Sequence, residues 1–484
     1  MRRTPEPAGV RYEHVGEDYL AQRTLRKGAG WILLWALGVG ATISGDYFGW
    51  NYGLAVGGFY GMAAATLLVS VLFVCMVFSI AELSAALPHA GGFYSFTRSA
   101  LGPTGGFVCG VTDTIEYVLS PAVIVDGIAG YLHALWPLVP AHVWWVGAYA
   151  LFVAINVRGV ELTLQVSLIV TTLAVAVLLA FFGGALLSGA FSTELLFNVA
   201  PSAGQSARGF PHGLVGVLAA LPYATWFYLG IEQLPLAAEE TYDVVRDMPR
   251  ALRLGLATLL VLALATLVLN TGVGGGAEAI ARSDAPLGEG FKAVFGAGAT
   301  TWVLTLTALA GLVASFHSLL YAAGRVLFAL SRAGYFPRVI SLTNRHKTPH
   351  VALILSGGLG LGCVMLLDRF RGGAVGAALL NMAVFGAVIS YVLVLVSFIK
   401  LRLGRPALPR PYRSPLGIAG AAVGVLLALL ALVATFASPK LRPAVLGVAV
   451  FLALALLYFA LYSRKRLVAQ APEEAAARGE EGGA

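Results

Sequence analysis

Four carboxylates, Asp46, Asp113, Glu116 and Glu232, lie within long apolar runs. Hydrocarbon solvates charge poorly, so an acid in such a run is expected to meet a cation, a proton or a set of donors. Asp46 closes the stretch Gly38-Val-Gly-Ala-Thr-Ile43-Ser44-Gly45-Asp46. It could contact a cationic ligand directly or cap a half-helix, and a carboxylate has enough acceptor positions for both. Glu116 follows Asp113 by three residues, on nearly the same helix face. Two like charges there do not both stay ionised. We therefore expect either Asp113 to be shallower and Glu116 deeper, or one of them to carry a proton. The alternative for Glu116 is a structural place in a buried hydroxyl or amide network. Glu232 follows Phe227, Tyr228 and Gly230. These rings, like Trp50, could wall an ammonium group or simply pack as large apolar groups. His317, with Ser315 and Ser318 nearby, could relay a proton near neutral pH or hold a helix contact. Glu239 and Glu240 end the sixth apolar run and are expected to pair with Arg or backbone groups as a gate latch.

The elements that must position these groups are membrane helices. The 484 residues are 58% hydrophobic and 12% charged, with mean hydropathy +0.82. Soluble domains carry about a quarter charged residues. Twelve spans are predicted over 31–57, 60–83, 105–132, 143–157, 162–188, 212–235, 252–273, 299–330, 349–367, 373–399, 416–437 and 443–462. The expected fold class is thus an all-α polytopic membrane protein. Residues 1–30 are polar and basic, and the first apolar run is too long for a cleavable signal. Assigning loops alternately places 25 of the 32 Lys and Arg on one side, with both termini, which predicts that side to be cytoplasmic. The basic residues are scattered over many short loops, so nucleic acid is not an expected partner. Membrane lipid is. Cys75, Cys109 and Cys363 fall in separate spans and offer neither a disulfide framework nor metal spacing. The sequence shows no metal cluster, phosphate loop or nucleophile triad. No cofactor is expected, and an enzyme or ATP-driven pump is disfavoured.

Spans 1 and 6 are interrupted, near Ile43–Asp46 and near Phe227–Gly230 respectively. Free backbone groups in lipid cost several kcal/mol each, so such breaks survive only inside protein or along a cavity. A broken helix at corresponding positions of two halves marks the substrate site of a secondary transporter. The second break lies five spans after the first, and an odd offset inverts the second half. The expected division is a cytoplasmic segment 1–30, repeats 31–188 and 212–399, two further helices over 416–462, and a disordered cytoplasmic tail 467–484. Residues 272–298 are expected to form an outer loop with a short helix starting near Asp284.

The first break, Gly38-Val-Gly-Ala-Thr-Ile-Ser-Gly-Asp-Tyr-Phe-Gly-Trp-Asn-Tyr-Gly-Leu54, resembles that of ethanolamine permeases, within the amino acid–polyamine–organocation superfamily. Phe78-Ser-Ile-Ala-Glu-Leu-Ser-Ala-Ala-Leu-Pro-His-Ala-Gly-Gly-Phe-Tyr94, Ile115-Glu-Tyr-Val-Leu-Ser-Pro-Ala-Val-Ile124, Pro235-Leu-Ala-Ala-Glu-Glu240 and Ala314-Ser-Phe-His317 extend the likeness over roughly residues 28–465. The resemblance implies a leucine-transporter-like five-plus-five fold moving a small amine by alternating access. The expected function is ethanolamine uptake. An amino acid or polyamine permease is the alternative, and a non-transporting amine sensor a third reading. Some proton-coupled relatives use a Lys in span 5, which has none here, so proton, sodium or exchange coupling stays open. Glu116 and His317 are the candidate coupling groups, with Trp50 and Glu240 as gating groups.

Overall fold

The computed structural model describes residues 9–296, 300–370, 374–437 and 442–478. Among them, ten helices are long and apolar enough to cross a membrane, and Ala141–Val157 is a shorter apolar helix. Trp31–Thr42 and Ser44–Tyr47 form the first part of span 1, which completes the twelve. The remaining spans follow the expected ranges closely. One continuous helical path, Tyr52–Ala86, carries the end of span 1 and all of span 2, bent at Gly58. Another, Phe93–Leu135, holds a short helix before Gly102 and span 3 after it. Large apolar side chains such as Ile169, Leu187, Val261 and Leu454 stand exposed around the bundle. That belt suits lipid as solvent rather than water.

The packing has the symmetry expected of a repeat. Span 3 packs on span 10 and span 8 on span 5. Span 2 packs on the first half of span 6, and span 7 on the first half of span 1. Spans 3 and 4 touch, as do 8 and 9. Each contact maps onto its mate when the halves exchange, so the broken spans occupy equivalent places. Spans 3 and 8 are the most buried and form the centre, whereas span 12 lies at the rim.

Two expectations at the edges need correction. The outer loop holds two helices, Gly276–Arg282 and Pro286–Phe295, rather than one. The tail is not disordered over 467–478. Strand β2 (Leu467–Val468) pairs in parallel with β1 (Tyr12–Glu13), and a helix follows at Pro472–Arg478. Its Ala- and Glu-rich composition signals poor apolar burial, but Glu473 and Glu474 are fully buried against arginines from distant segments. Residues 479–484 of the tail, like 1–8 of the amino-terminal segment and the end of the outer loop at 297–298, lie outside the described residues.

Candidate functional site

The first break begins where a neighbouring side chain enters the helix. Ser44 N–H donates to Ser315 Oγ at 3.0 Å, and Ser315 Oγ donates to Gly40 C=O at 2.8 Å. The hydroxyl thus replaces the direct bond that a helix would make between these groups. Ile43 keeps right-handed helical angles, and one more turn, Ser44–Tyr47, follows. The chain leaves the helix only at Phe48, which is extended, and re-enters at Tyr52. The break therefore runs further than Ile43–Asp46. Its outer part is held by Asn51, which accepts from Gly49 N–H (3.1 Å) and donates to the Ile280 and Ser283 carbonyls (2.8 and 2.9 Å).

The second break lies where expected. Gly213–Ala224 tightens through Thr225–Phe227, turns at Gly230 (φ +113°), and continues as Ile231–Glu240. The breaks meet backbone to backbone. A Cβ at Gly45 would stand 1.8 Å from the Trp226 carbonyl oxygen, and one at Gly230 3.1 Å from that of Ala41. Only glycine allows this approach, and Gly230 also needs it for its left-handed angle.

Around this junction the acids divide into satisfied and unsatisfied groups. Glu232 accepts from Gly230 N–H at 2.9 Å and from the Tyr391 hydroxyl. Asp46 is fully buried, and neither carboxylate oxygen has a hydrogen-bond partner among the described residues. Neither oxygen accepts from a backbone N–H, and the half-helix that follows, from Tyr52, has no side-chain cap, so Asp46 is not the cap that one reading expected. It faces Thr266. Thr266 opens a π-helical turn, Thr266–Asn270, in span 7, and its hydroxyl, both side-chain polar atoms of Asn270 and the Thr271 hydroxyl are likewise buried without partners. Such turns recur at functional sites.

Glu116 is also fully buried with both oxygens unpartnered, beside Glu232 and Asp113 and without a hydrogen bond of normal geometry to either. Asp113 is 2% exposed and faces Ser390, which bonds the Thr112 hydroxyl at 2.7 Å. Trp50 stacks on Phe227 with centroids 5.3 Å apart, and the Tyr228 hydroxyl bonds Ser70 Oγ at 2.7 Å. All four are buried, so these rings wall the junction off from solvent.

Two other candidates lie apart from the unsatisfied groups. His317 Nε2 is 2.8 Å from the Thr163 carbonyl and Nδ1 is 3.3 Å from Asn156 Nδ2. With these partners Nε2 carries the proton and Nδ1 accepts. Both nitrogens are used in tying span 8 to spans 4 and 5, which is the helix-contact reading. Glu240 takes Arg325 through both carboxylate oxygens (2.8 and 3.2 Å) and also accepts from the Tyr321 hydroxyl. Its own carbonyl accepts from Gly28 and Ala29 N–H. Glu239 binds Arg332 and Ala90 N–H. The pairing with arginine and backbone groups expected at the end of span 6 is thus present. Ser70, Thr266, Asn270, Tyr321, Arg325 and Tyr391 were not singled out from the sequence. Only Asn270-Thr271, polar residues inside an apolar run, carried a signal that could have found one of them.

Comparison with known proteins agrees with this architecture. A family model described as amino acid permease matches residues 30–461. An uncharacterized transporter of Rhizobium meliloti is 28% identical over 66% of this chain and 69% of its own length. The branched-chain amino acid permease of Bacillus subtilis is 26% identical, over 81% of this chain and 85% of its own. The L-asparagine permease of Streptomyces coelicolor is 26% identical over 69% of each chain. With two broken spans meeting at the centre of a twelve-span bundle and the match covering nearly all of it, this chain belongs to the amino acid permease family of membrane transporters.

Proposed function

We propose that this transporter imports ethanolamine, as the protonated amine, across the cytoplasmic membrane by alternating access. One observation carries the reading: the amides a carboxylate would seek are bonded within the protein, while two carboxylates a cation would seek have no hydrogen-bond partner of normal geometry. Backbone N–H groups at broken helices are the usual seat for an anionic substrate group. Here Ser44 N–H is bonded to Ser315, and Gly230 N–H to Glu232. Among the buried arginines toward the termini, Arg98, Arg325 and Arg332 are bound to Glu474, Glu240 and Glu239, and Arg23 to Ser341. Asp46 and Glu116 remain unpartnered. An ammonium group satisfies a buried carboxylate, whereas an amino acid's own carboxylate would add a like charge. Thr266 and Asn270 offer hydroxyl and amide partners for the alcohol. The distribution of Lys and Arg supports termini on the cytoplasmic side.

The test is counterflow in proteoliposomes with ethanolamine, choline, alanine, leucine, lysine and putrescine, with and without pH and sodium gradients. Ethanolamine should compete best. Stronger competition by alanine or leucine than by ethanolamine would replace this reading with an amino acid substrate, the kind that the names of two relatives carry.

Coupling is proposed to run through Glu116. Two carboxylates side by side and out of water need a proton or a cation between them. An arriving ammonium can take the proton's place, linking occupancy to proton release. Glu116→Gln should flatten the pH dependence of net uptake while exchange of bound substrate partly survives. An unchanged pH profile with intact uptake would remove Glu116 from coupling and favour an ion site.

A further inference from the structure

We propose that residues 467–478 form a strap that holds the termini face of the bundle closed, and that opening this face requires the strap to lift. The segment is anchored in four directions. Along its start, Val468 N–H donates to the Ala333 carbonyl and Ala469 N–H to that of Glu13, each at 3.0 Å. At its centre, Glu474 receives Arg98 Nε at 2.9 Å to each oxygen and Arg98 Nη2 at 2.5 Å, with the Tyr335 and Tyr12 hydroxyls at 3.0 and 3.1 Å. Burial, then the neighbouring Glu474, pushes the Tyr12 hydroxyl up to about 12, so it stays protonated as a donor. Beside it, Glu473 receives Arg332 Nη2 at 2.6 Å. At its end, Arg405, from the segment after span 10, donates to the Ala477 carbonyl at 2.6 Å.

The arginine bound by Glu473 is what makes this more than a brace. Arg332 ends span 8, and its guanidinium also grips Glu239 at 2.5 and 2.8 Å. Glu239 belongs to the distal half of the broken span 6 and accepts from Ala90 N–H in the loop after span 2. One guanidinium therefore joins the strap to the half-helix leading directly from the junction of the two breaks. Arg98 joins the same strap to the short helix before span 3. Alternating access requires elements on this face to separate, and the strap crosses between them. Both of its acids are buried, so lifting it must separate charges with little screening by salt. Refilling the strap's place with water hydrates those same charges. The strap thus sets a two-state equilibrium rather than a permanent lock.

The test needs no knowledge of the substrate. In the full-length protein, hydrogen–deuterium exchange is followed at residues 88–101, 231–242 and 467–478 for the parent chain, Glu474→Gln and Arg405→Ala. Arg405 is only partly buried and touches the strap's end, so its removal leaves the bundle's own packing in place. Exchange in all three segments should rise together, about tenfold in Arg405→Ala and more in Glu474→Gln, because a common opening governs them. A second readout is an Ala471→Cys reporter, whose parent side chain is fully buried in the strap. Its labelling by a charged maleimide should accelerate by the same factor in Arg405→Ala. Faster exchange confined to 467–478, with 231–242 unchanged, would overturn the proposal and leave the segment a passive brace. So would unchanged exchange and labelling in Arg405→Ala, whatever the fate of Glu474→Gln.

Discussion

Asp46→Asn is expected to raise the KM for the proposed substrate, ethanolamine, by about tenfold to a hundredfold, the loss associated with one hydrogen bond to a charged group. The amide keeps the size of the side chain, so the surrounding packing is retained. It removes the charge that an ammonium needs. Stability should be unchanged or slightly higher, because a neutral amide is less costly to bury than a carboxylate without partners. The two readouts separate the roles. A capping acid would give normal transport in the variant, since Asn caps as well as Asp. The structure already leaves that role unfilled. Concentration-dependent uptake in proteoliposomes, with thermal unfolding in detergent as the control, measures both. A KM equal to the parent's would take Asp46 out of the binding site.

Arg325→Leu is expected to have the largest effect on stability, about 3–5 kcal/mol, as when one partner of a buried ion pair is removed. Arg325 is fully buried, and the Glu240 side chain is 1% exposed. Deleting the guanidinium leaves a carboxylate with only the Tyr321 hydroxyl as a side-chain partner. Glu240 also holds the chain before span 1, because its carbonyl receives Gly28 and Ala29 N–H. Loosening this residue therefore loosens the approach to the first break as well. The double variant Arg325→Leu, Glu240→Leu should regain much of the stability, since an apolar pair of similar volume avoids the stranded charge. Transport should not recover with it if the latch must open and reclose. Thermal unfolding of the three chains is the measurement. A single variant as stable as the parent would show that the pair contributes little.

The same reasoning separates what was legible in the sequence from what was not. Helix number, span edges and the positions of Gly45 and Gly230 were readable because they depend on local properties. Lipid selects apolar runs of a given length, and a break in lipid-spanning backbone demands permissive residues and a buried setting. The tail shows where composition misleads. Residues 467–478 are poor in large apolar groups, yet they are ordered, because Arg98 and Arg332 supply ionic partners that composition does not record. Glu116 shows the same limit in depth. Spacing placed it near Asp113, but the carboxylate beside it from across the bundle, Glu232, lies on the broken span 6.

By itself, the sequence determined that this is a twelve-span membrane protein with two interrupted helices and acids near both interruptions. The tertiary structure decided which acids are free. Tyr391, 159 residues beyond Glu232, occupies one oxygen of that acid, and Ser315, 271 residues beyond Ser44, fills the opened turn of span 1. The π-helical turn of span 7 brings Thr266 beside Asp46 without a hydrogen bond of normal geometry. Hydropathy is a local property and could place each acid in the membrane. Whether a donor meets it depends on side chains brought together from distant spans, and that is settled only when the bundle packs.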